Sequence, residues 1–119
     1  MNLINRVVAP EEVIFLEGQE AGAVYVILSG EVQITLTDSS GKQVVINRMQ
    51  AGETFGELEA LGNDRRCTAT VLSHGGCELI EISKAVVDRR LAAADPFLRY
   101  MMAHLCDMVR HWTNLARRT

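Results

Sequence analysis

The stretch Phe55-Gly56-Glu57-Leu58-Glu59-Ala60-Leu61-Gly62-Asn63-Asp64-Arg65-Arg66-Cys67-Thr68-Ala69-Thr70-Val71 decides how the chain is read. A glycine leading into one helical turn presents unbonded backbone N–H groups that can receive an anion. Gly56 permits close backbone approach, and Leu58 is placed to plug the turn into the core. Glu57 can accept hydrogen bonds from a sugar hydroxyl, and a nearby arginine can neutralise a phosphate bidentately. By residue type alone the segment is an anion site and no more.

Outward from this turn the chain reads as short strands separated by glycine turns. Val13 to Leu16 is an apolar run that stops at Gly18, and Val24 to Leu28 ends at Ser29-Gly30. Val32, Ile34 and Leu36 alternate with Gln33 and Thr35, the period-two pattern of a half-buried strand. Ser39-Ser40-Gly41 predicts a hairpin turn before Val44-Val45-Ile46. Thr68 to Leu72 and Cys77 to Ile82 give two further strands around His74-Gly75-Gly76. Many short strands at close spacing predict a barrel, sandwich or roll.

After Ile82 the texture becomes helical. Ser83 is a helix cap ahead of Val86, Val87, Arg90 and Leu91, and Asp95-Pro96 is a cap followed by proline at the first helical position. From there to Arg118 nothing breaks the helix, and Leu98, Met101, Leu105, Met108, Trp112 and Leu115 recur at alternating spacings of three and four. That is a heptad seam. Phe97, Met102, Val109 and Ala116 widen it, so one side could cover the strands while the other meets a partner helix. A long apolar face of this kind predicts a homodimer through the C-terminal helix.

The turn resembles the phosphate-binding cassette of the cyclic nucleotide-binding domain family, which includes the catabolite-activator regulators, protein kinase A regulatory subunits and cyclic-nucleotide-gated channels. Glu12-Val13-Ile14-Phe15-Leu16-Glu17-Gly18-Gln19 and Tyr25-Val26-Ile27-Leu28-Ser29-Gly30-Glu31-Val32 resemble the same family's opening strands, with Gly18, Gly30, Gly52 and Gly56 at its tight turns. The resemblance implies a mainly β fold with C-terminal α structure, a double-stranded β-helix (a jelly-roll-like β-roll) followed by a long helix. In this chain it covers one domain over residues 1–119: a roll over about 11–82 with the phosphate-binding turn at 55–68, a short helix over about 83–94, and a dimerisation-type helix over about 96–118. It also implies a ligand, cAMP or cGMP, and no prosthetic group. Glu57 would hold the ribose 2′-hydroxyl and the amides after Gly56 the cyclic phosphate, while the last helix swings over the base. The site set is Phe55, Gly56, Glu57, Leu58, Glu59, Arg66, Cys67, Thr68 and Ala69.

Two positions depart from the family pattern. Counted back from Ala69-Thr70-Val71, the arginine slot holds Cys67; counted forward from Glu57, Arg66 can be placed there. Glu59 stands where the cassette has a small residue close to the phosphate, which sets a carboxylate against an anion. Three readings stay open. Arg66 reaches the phosphate through a bulged strand entry; Cys67 occupies the slot and leaves an uncharged pocket; or Arg66 pairs with Glu59 in an empty site. A redox role for Cys67, with its pKa lowered by Arg65 and Arg66, competes with the plainer reading of a small buried residue.

Composition bounds the alternatives. The 119 residues carry a net charge of −3, so no whole-molecule basic field is available for nucleic acid. The start of the chain lacks a signal-peptide pattern, and no apolar run is long enough to span a bilayer, so a cytoplasmic location without membrane contact is expected. Cys67, Cys77 and Cys106 form no CxxC pair, and His74, His104 and His111 are dispersed with no His-x-His pair, so neither a metal site nor an enzyme is expected. Arg110, Arg117 and Arg118 are too few for direct DNA binding, and the residues to Thr119 contain no recognition helix. The expected function is therefore a cyclic-nucleotide-binding regulatory domain that passes its signal to the C-terminal helix. The alternatives are a degenerate domain serving as a dimerisation module, or the sensor fragment of a transcriptional regulator.

Overall fold

The computed structural model describes residues 3–117, with side-chain burial described through residue 113. Six strands pair antiparallel throughout and precede the two longer helices. They are β1 (Leu3–Val8), β2 (Val13–Phe15), β3 (Val24–Thr37), β4 (Gln43–Gln50), β5 (Thr54–Phe55) and β6 (Thr70–Ile82). Between β5 and β6 lies α1 (Glu57–Leu61); α2 (Lys84–Ala93) and α3 (Pro96–Arg117) follow. The path through the sheet is β1-β6-β3-β4, with β2 on β6 and β5 on β3.

The central pair, β3 and β6, each join two of the expected short strands into one bulged strand. The pairing slips between Gly30 and Glu31, opposite Cys77 and His74. Such bulges bend a strand and tighten its twist. Gly30 is required at this corner: its φ is +82°, and a Cβ there would stand 2.4 Å from the Gly76 carbonyl oxygen. The hairpin forms where expected, with Asp38 Oδ1 accepting from the backbone N–H groups of Ser40 and Lys42 at 2.9 Å each. Both helix caps form as well. Ser83 Oγ accepts from Val86 N at 3.3 Å, and Asp95 Oδ1 accepts from Phe97 N at 2.9 Å.

The sequence reading missed β1, whose residues pair with Cys77–Ile82 of β6 from Val8 back to Leu3. Most of its side chains are exposed, as befits an edge strand, so it lacks the alternation that reveals a half-buried one. The core gathers Val8, Ile14, Phe15, Tyr25, Ile27, Val32, Phe55, Cys67, Val71, Cys77 and Leu79. Within it Phe55 stacks on Tyr25 at 4.8 Å between ring centroids, which fixes the chain just ahead of the Gly56 turn. The seam residues Leu115 and Ala116, and Arg118 at the expected helix end, lie outside the described side chains. Among the described residues no helix is long and apolar enough to cross a membrane.

Candidate functional site

Gly56 turns the chain from β5 into α1 with φ at +90°, and a Cβ there would meet the Ala23 carbonyl oxygen at 2.6 Å. Both constraints exclude any other residue without a shift of the backbone. The turn delivers Glu57, Leu58 and Glu59 to the wall of a cavity of about 210 Å³. Phe15, Ile34, Met49, Phe55 and Val71 make its apolar side, and Thr68 and Ala69 close it from the entry to β6. Seven of the nine expected site residues (Phe55, Gly56, Glu57, Leu58, Glu59, Thr68 and Ala69) therefore share one cavity. Leu58 is half-buried at the wall and does not plug the core; the residues that α1 buries are Glu59 and Ala60.

The two glutamates differ in their partners. Glu59 is 4% exposed, and its Oε1 accepts from both the backbone N–H and the hydroxyl of Thr68, at 3.3 Å each. Glu57 Oε2 is buried and has no hydrogen-bond partner. Burial, with the Glu59 charge beside it, holds the Glu57 carboxyl above the usual carboxylate range. An orphaned buried acceptor on a cavity wall is a vacancy for a donor, and a sugar hydroxyl has the chemistry to fill it.

Arg66 does not line this cavity, and its expected pairing with Glu59 does not form. Its side chain is 73% exposed and turned to Asp64, with Nη2 3.0 Å and Nε 3.2 Å from the two carboxylate oxygens. The backbone of Cys67 pairs with Gln19 and Gly18, so the extended chain alternates Arg66 outward and Cys67 inward. Arg65 likewise turns away, its Nη2 2.6 Å from Asp88 Oδ1, while its Nη1 is buried without a hydrogen-bond partner. Among the described residues no lysine, arginine or histidine lines the cavity. Cys67 joins the core, where burial and then the Glu59 charge push its thiol up to about 12. The thiolate that a redox role needs is thus suppressed at neutral pH, because the arginines that were to lower its pKa face elsewhere.

Contacts that the sequence reading did not anticipate tie α3 to this turn. Arg110 Nη2 donates to the carbonyls of Asp64 at 2.8 Å and Arg66 at 2.7 Å. Asp107 accepts from Asn63, at 3.1 Å from its backbone N–H and 2.6 Å from its side-chain amide. Cys106 Sγ lies 3.9 Å from the Glu57 carbonyl oxygen. Their sequence signal is slight: Cys106 and Asp107 are adjacent and Arg110 follows within one turn, on the side of the helix away from the apolar stripe. Arg110 and Asp64 hold each other besides: the two arginines Arg66 and Arg110 keep the Asp64 carboxyl at about 2, mainly through the Arg66 hydrogen bonds. Thr113, near the end of α3, donates its hydroxyl to the Val109 carbonyl of its own helix at 2.9 Å.

The family model for the cyclic nucleotide-binding domain matches residues 5–93, which takes in β1 to α2 and the whole cavity. The chain belongs to that family. Among curated relatives, the cAMP-activated global transcriptional regulator Vfr of Pseudomonas aeruginosa is 30% identical over 84% of this chain and 48% of its own length. The regulator CRP of Haemophilus influenzae is 28% identical over 83% of this chain and 46% of its own length. A cAMP-dependent protein kinase regulatory subunit of Mucor circinelloides is 40% identical over 70% of this chain. The chain thus spans about half the length of the bacterial regulators it matches. Among solved structures, an EAL enzyme in its cAMP-bound form superposes with a TM-score of 0.83 at 26% identity, over 95% of this chain and 30% of that one. The curated relatives are by name transcriptional regulators and a kinase regulatory subunit, and the mainly β architecture with a C-terminal helix is shared with the cAMP-bound EAL enzyme structure.

Proposed function

We propose that this domain is a cytoplasmic sensor that binds cAMP or cGMP weakly in the Glu57 cavity and passes occupancy to α3. The observation that carries the reading is the buried, unpartnered Oε2 of Glu57 on the wall of a cavity that lies within the residues matched by the family model. The ribose hydroxyl would satisfy that oxygen, and the base would lie on the apolar side formed by Ile34, Met49 and Val71. Affinity is low on this reading because no cation meets the phosphate. Loss of a charge-assisted bidentate pair costs about 1.5–3 kcal/mol, roughly tenfold to hundredfold in Kd.

The route to α3 is short. A ligand that moves Glu57 moves its carbonyl against Cys106, and any shift of residues 63–66 strains the Asp107 and Arg110 contacts. Binding would then redistribute α3 between two packings. Calorimetric titration with cAMP and cGMP tests the reading: heat with a Kd in the high micromolar to millimolar range supports it, and its absence from Glu57→Ala localises it. No heat and no thermal stabilisation at millimolar nucleotide would sink it.

A second part of the proposal concerns α3 itself. The face away from the turn exposes Leu98, Leu105, Met108 and Trp112 at 57%, 55%, 43% and 63%. A second copy of the same helix would cover this stripe, giving a homodimer, and a dimerisation module without ligand would need only this face. Sedimentation should report a dimer at micromolar concentration, and Leu105→Glu should make it monomeric. A monomer at all concentrations would overturn the homodimer.

A further inference from the structure

Glu59 is the least expected residue in the cavity. It is a carboxylate 4% exposed, with no cationic partner among the described residues, and its hydrogen bonds run to two donors of a single residue, Thr68. None of the arginines around this turn pairs with Glu59: Arg65 Nη2 meets Asp88, Arg66 meets Asp64, and Arg110 of α3 holds Asp64 and two carbonyls. The site therefore holds one anion already, tethered to α1.

We infer that Glu59 determines the charge preference of this cavity, its carboxylate occupying the Thr68 donors as a built-in stand-in for a ligand's phosphate. The inference rests on the reading of the cavity as a nucleotide site and adds a selectivity that reading does not contain. An incoming phosphodiester competes with the carboxylate for the same N–H and O–H, and while both are present it meets a like charge in a setting that screens poorly. An uncharged nucleoside does neither. It needs only the Glu57 oxygen and the apolar wall, so the site discriminates against the charged form of a ligand whose sugar and base it otherwise accepts.

The test compares one charged and one uncharged ligand, cAMP and adenosine, on the full chain and on Glu59→Ala and Glu59→Gln, with a thermal melt confirming that each variant is folded. In Glu59→Ala the affinity for cAMP should rise about tenfold, while that for adenosine moves less than about twofold. Glu59→Gln keeps the shape and removes the charge; it should show the same selective gain, severalfold in size, and carries the test if the alanine variant is unstable. A purely structural role for Glu59 would move both ligands together. Equal changes for the two ligands, or no gain for cAMP while binding persists, would overturn the inference and leave the nucleotide reading standing. Binding of neither ligand to any variant at millimolar concentration would overturn that reading and the inference with it.

Discussion

The two sides of the 57–68 segment differ in where their cations lie. Inward, Glu57 and Glu59 line the cavity with no cation beside them among the described residues. Outward, Arg66 and Arg110 converge on Asp64, and Arg65 on Asp88. A sugar-phosphate receptor needs both signs on one side, the carboxylate for the hydroxyl and the guanidinium for the phosphate. Here the chain has sorted them. The cations hold helices, and the anions hold the cavity, so the same few residues that complete the fold leave the ligand site short of positive charge.

The strongest way to break this sorting is to return a cation to the inner side. Cys67→Arg alone should place its guanidinium beside Glu59, since that charge already acts on the Cys67 thiol, and the new pair should mask most of the gain in cAMP affinity. Combined with Glu59→Ala, Cys67→Arg should improve the cAMP Kd by about a hundredfold over the natural chain. That is more than the product of the two single effects, a coupling that a double-mutant cycle by calorimetry reads directly. Equal or additive effects would show that Glu59 and the residue-67 slot do not share the phosphate position.

On the outer side, Arg110→Ala removes two donors from carbonyls and frees α3 from the turn. Its side chain is only 13% exposed, so about 2 kcal/mol of stability should be lost in urea unfolding, with faster hydrogen exchange confined to α3. Asp64→Asn is the milder test of the same contact. The Asp64 carboxyl is depressed to about 2 in the folded chain, so its contribution is present above the ordinary value of 3.8 and is lost as pH falls toward 2. The variant should therefore melt lower than the natural chain at pH 7, and the gap should close on acidification through that window.

Glu57 has the reverse sign. Its carboxyl is raised in the folded chain, so it favours folding while protonated and costs stability as pH climbs past the ordinary 4.5. Glu57→Gln should raise the melting temperature slightly at pH 7 and flatten the decline in stability above about pH 4.5. It should also weaken nucleotide binding, the trade expected when a strained carboxylate is kept for a ligand.

Much of this molecule is legible in its residues. The Asp38–Gly41 hairpin and the Ser83 and Asp95 caps are local signals, and each forms as the sequence predicts; the alternation of Val32, Ile34 and Leu36 gives the strand but not its faces, since the register shifts after Ile34 and Thr35 is buried beside Leu36. The cavity is legible too, because Gly56 leaves the backbone one course and the carboxylates follow it. What sequence could not decide was the direction of two adjacent side chains. Whether Arg66 or Cys67 faces inward depends on the pairing of Cys67 with Gly18 and Gln19, contacts nearly fifty residues away along the chain. The role of Arg110 is hidden for the same reason. Its partners are backbone carbonyls, which leave no trace in residue identity.

The most direct test of the sorted charges uses the smallest change, Arg66→Ala, with cAMP titrated into the variant and the natural chain side by side. With Arg66 exposed and paired to Asp64, the two Kd values should agree within about twofold and stability should shift by less than about 0.5 kcal/mol. A tenfold or greater loss of affinity in Arg66→Ala would place that guanidinium on the phosphate and contradict the account.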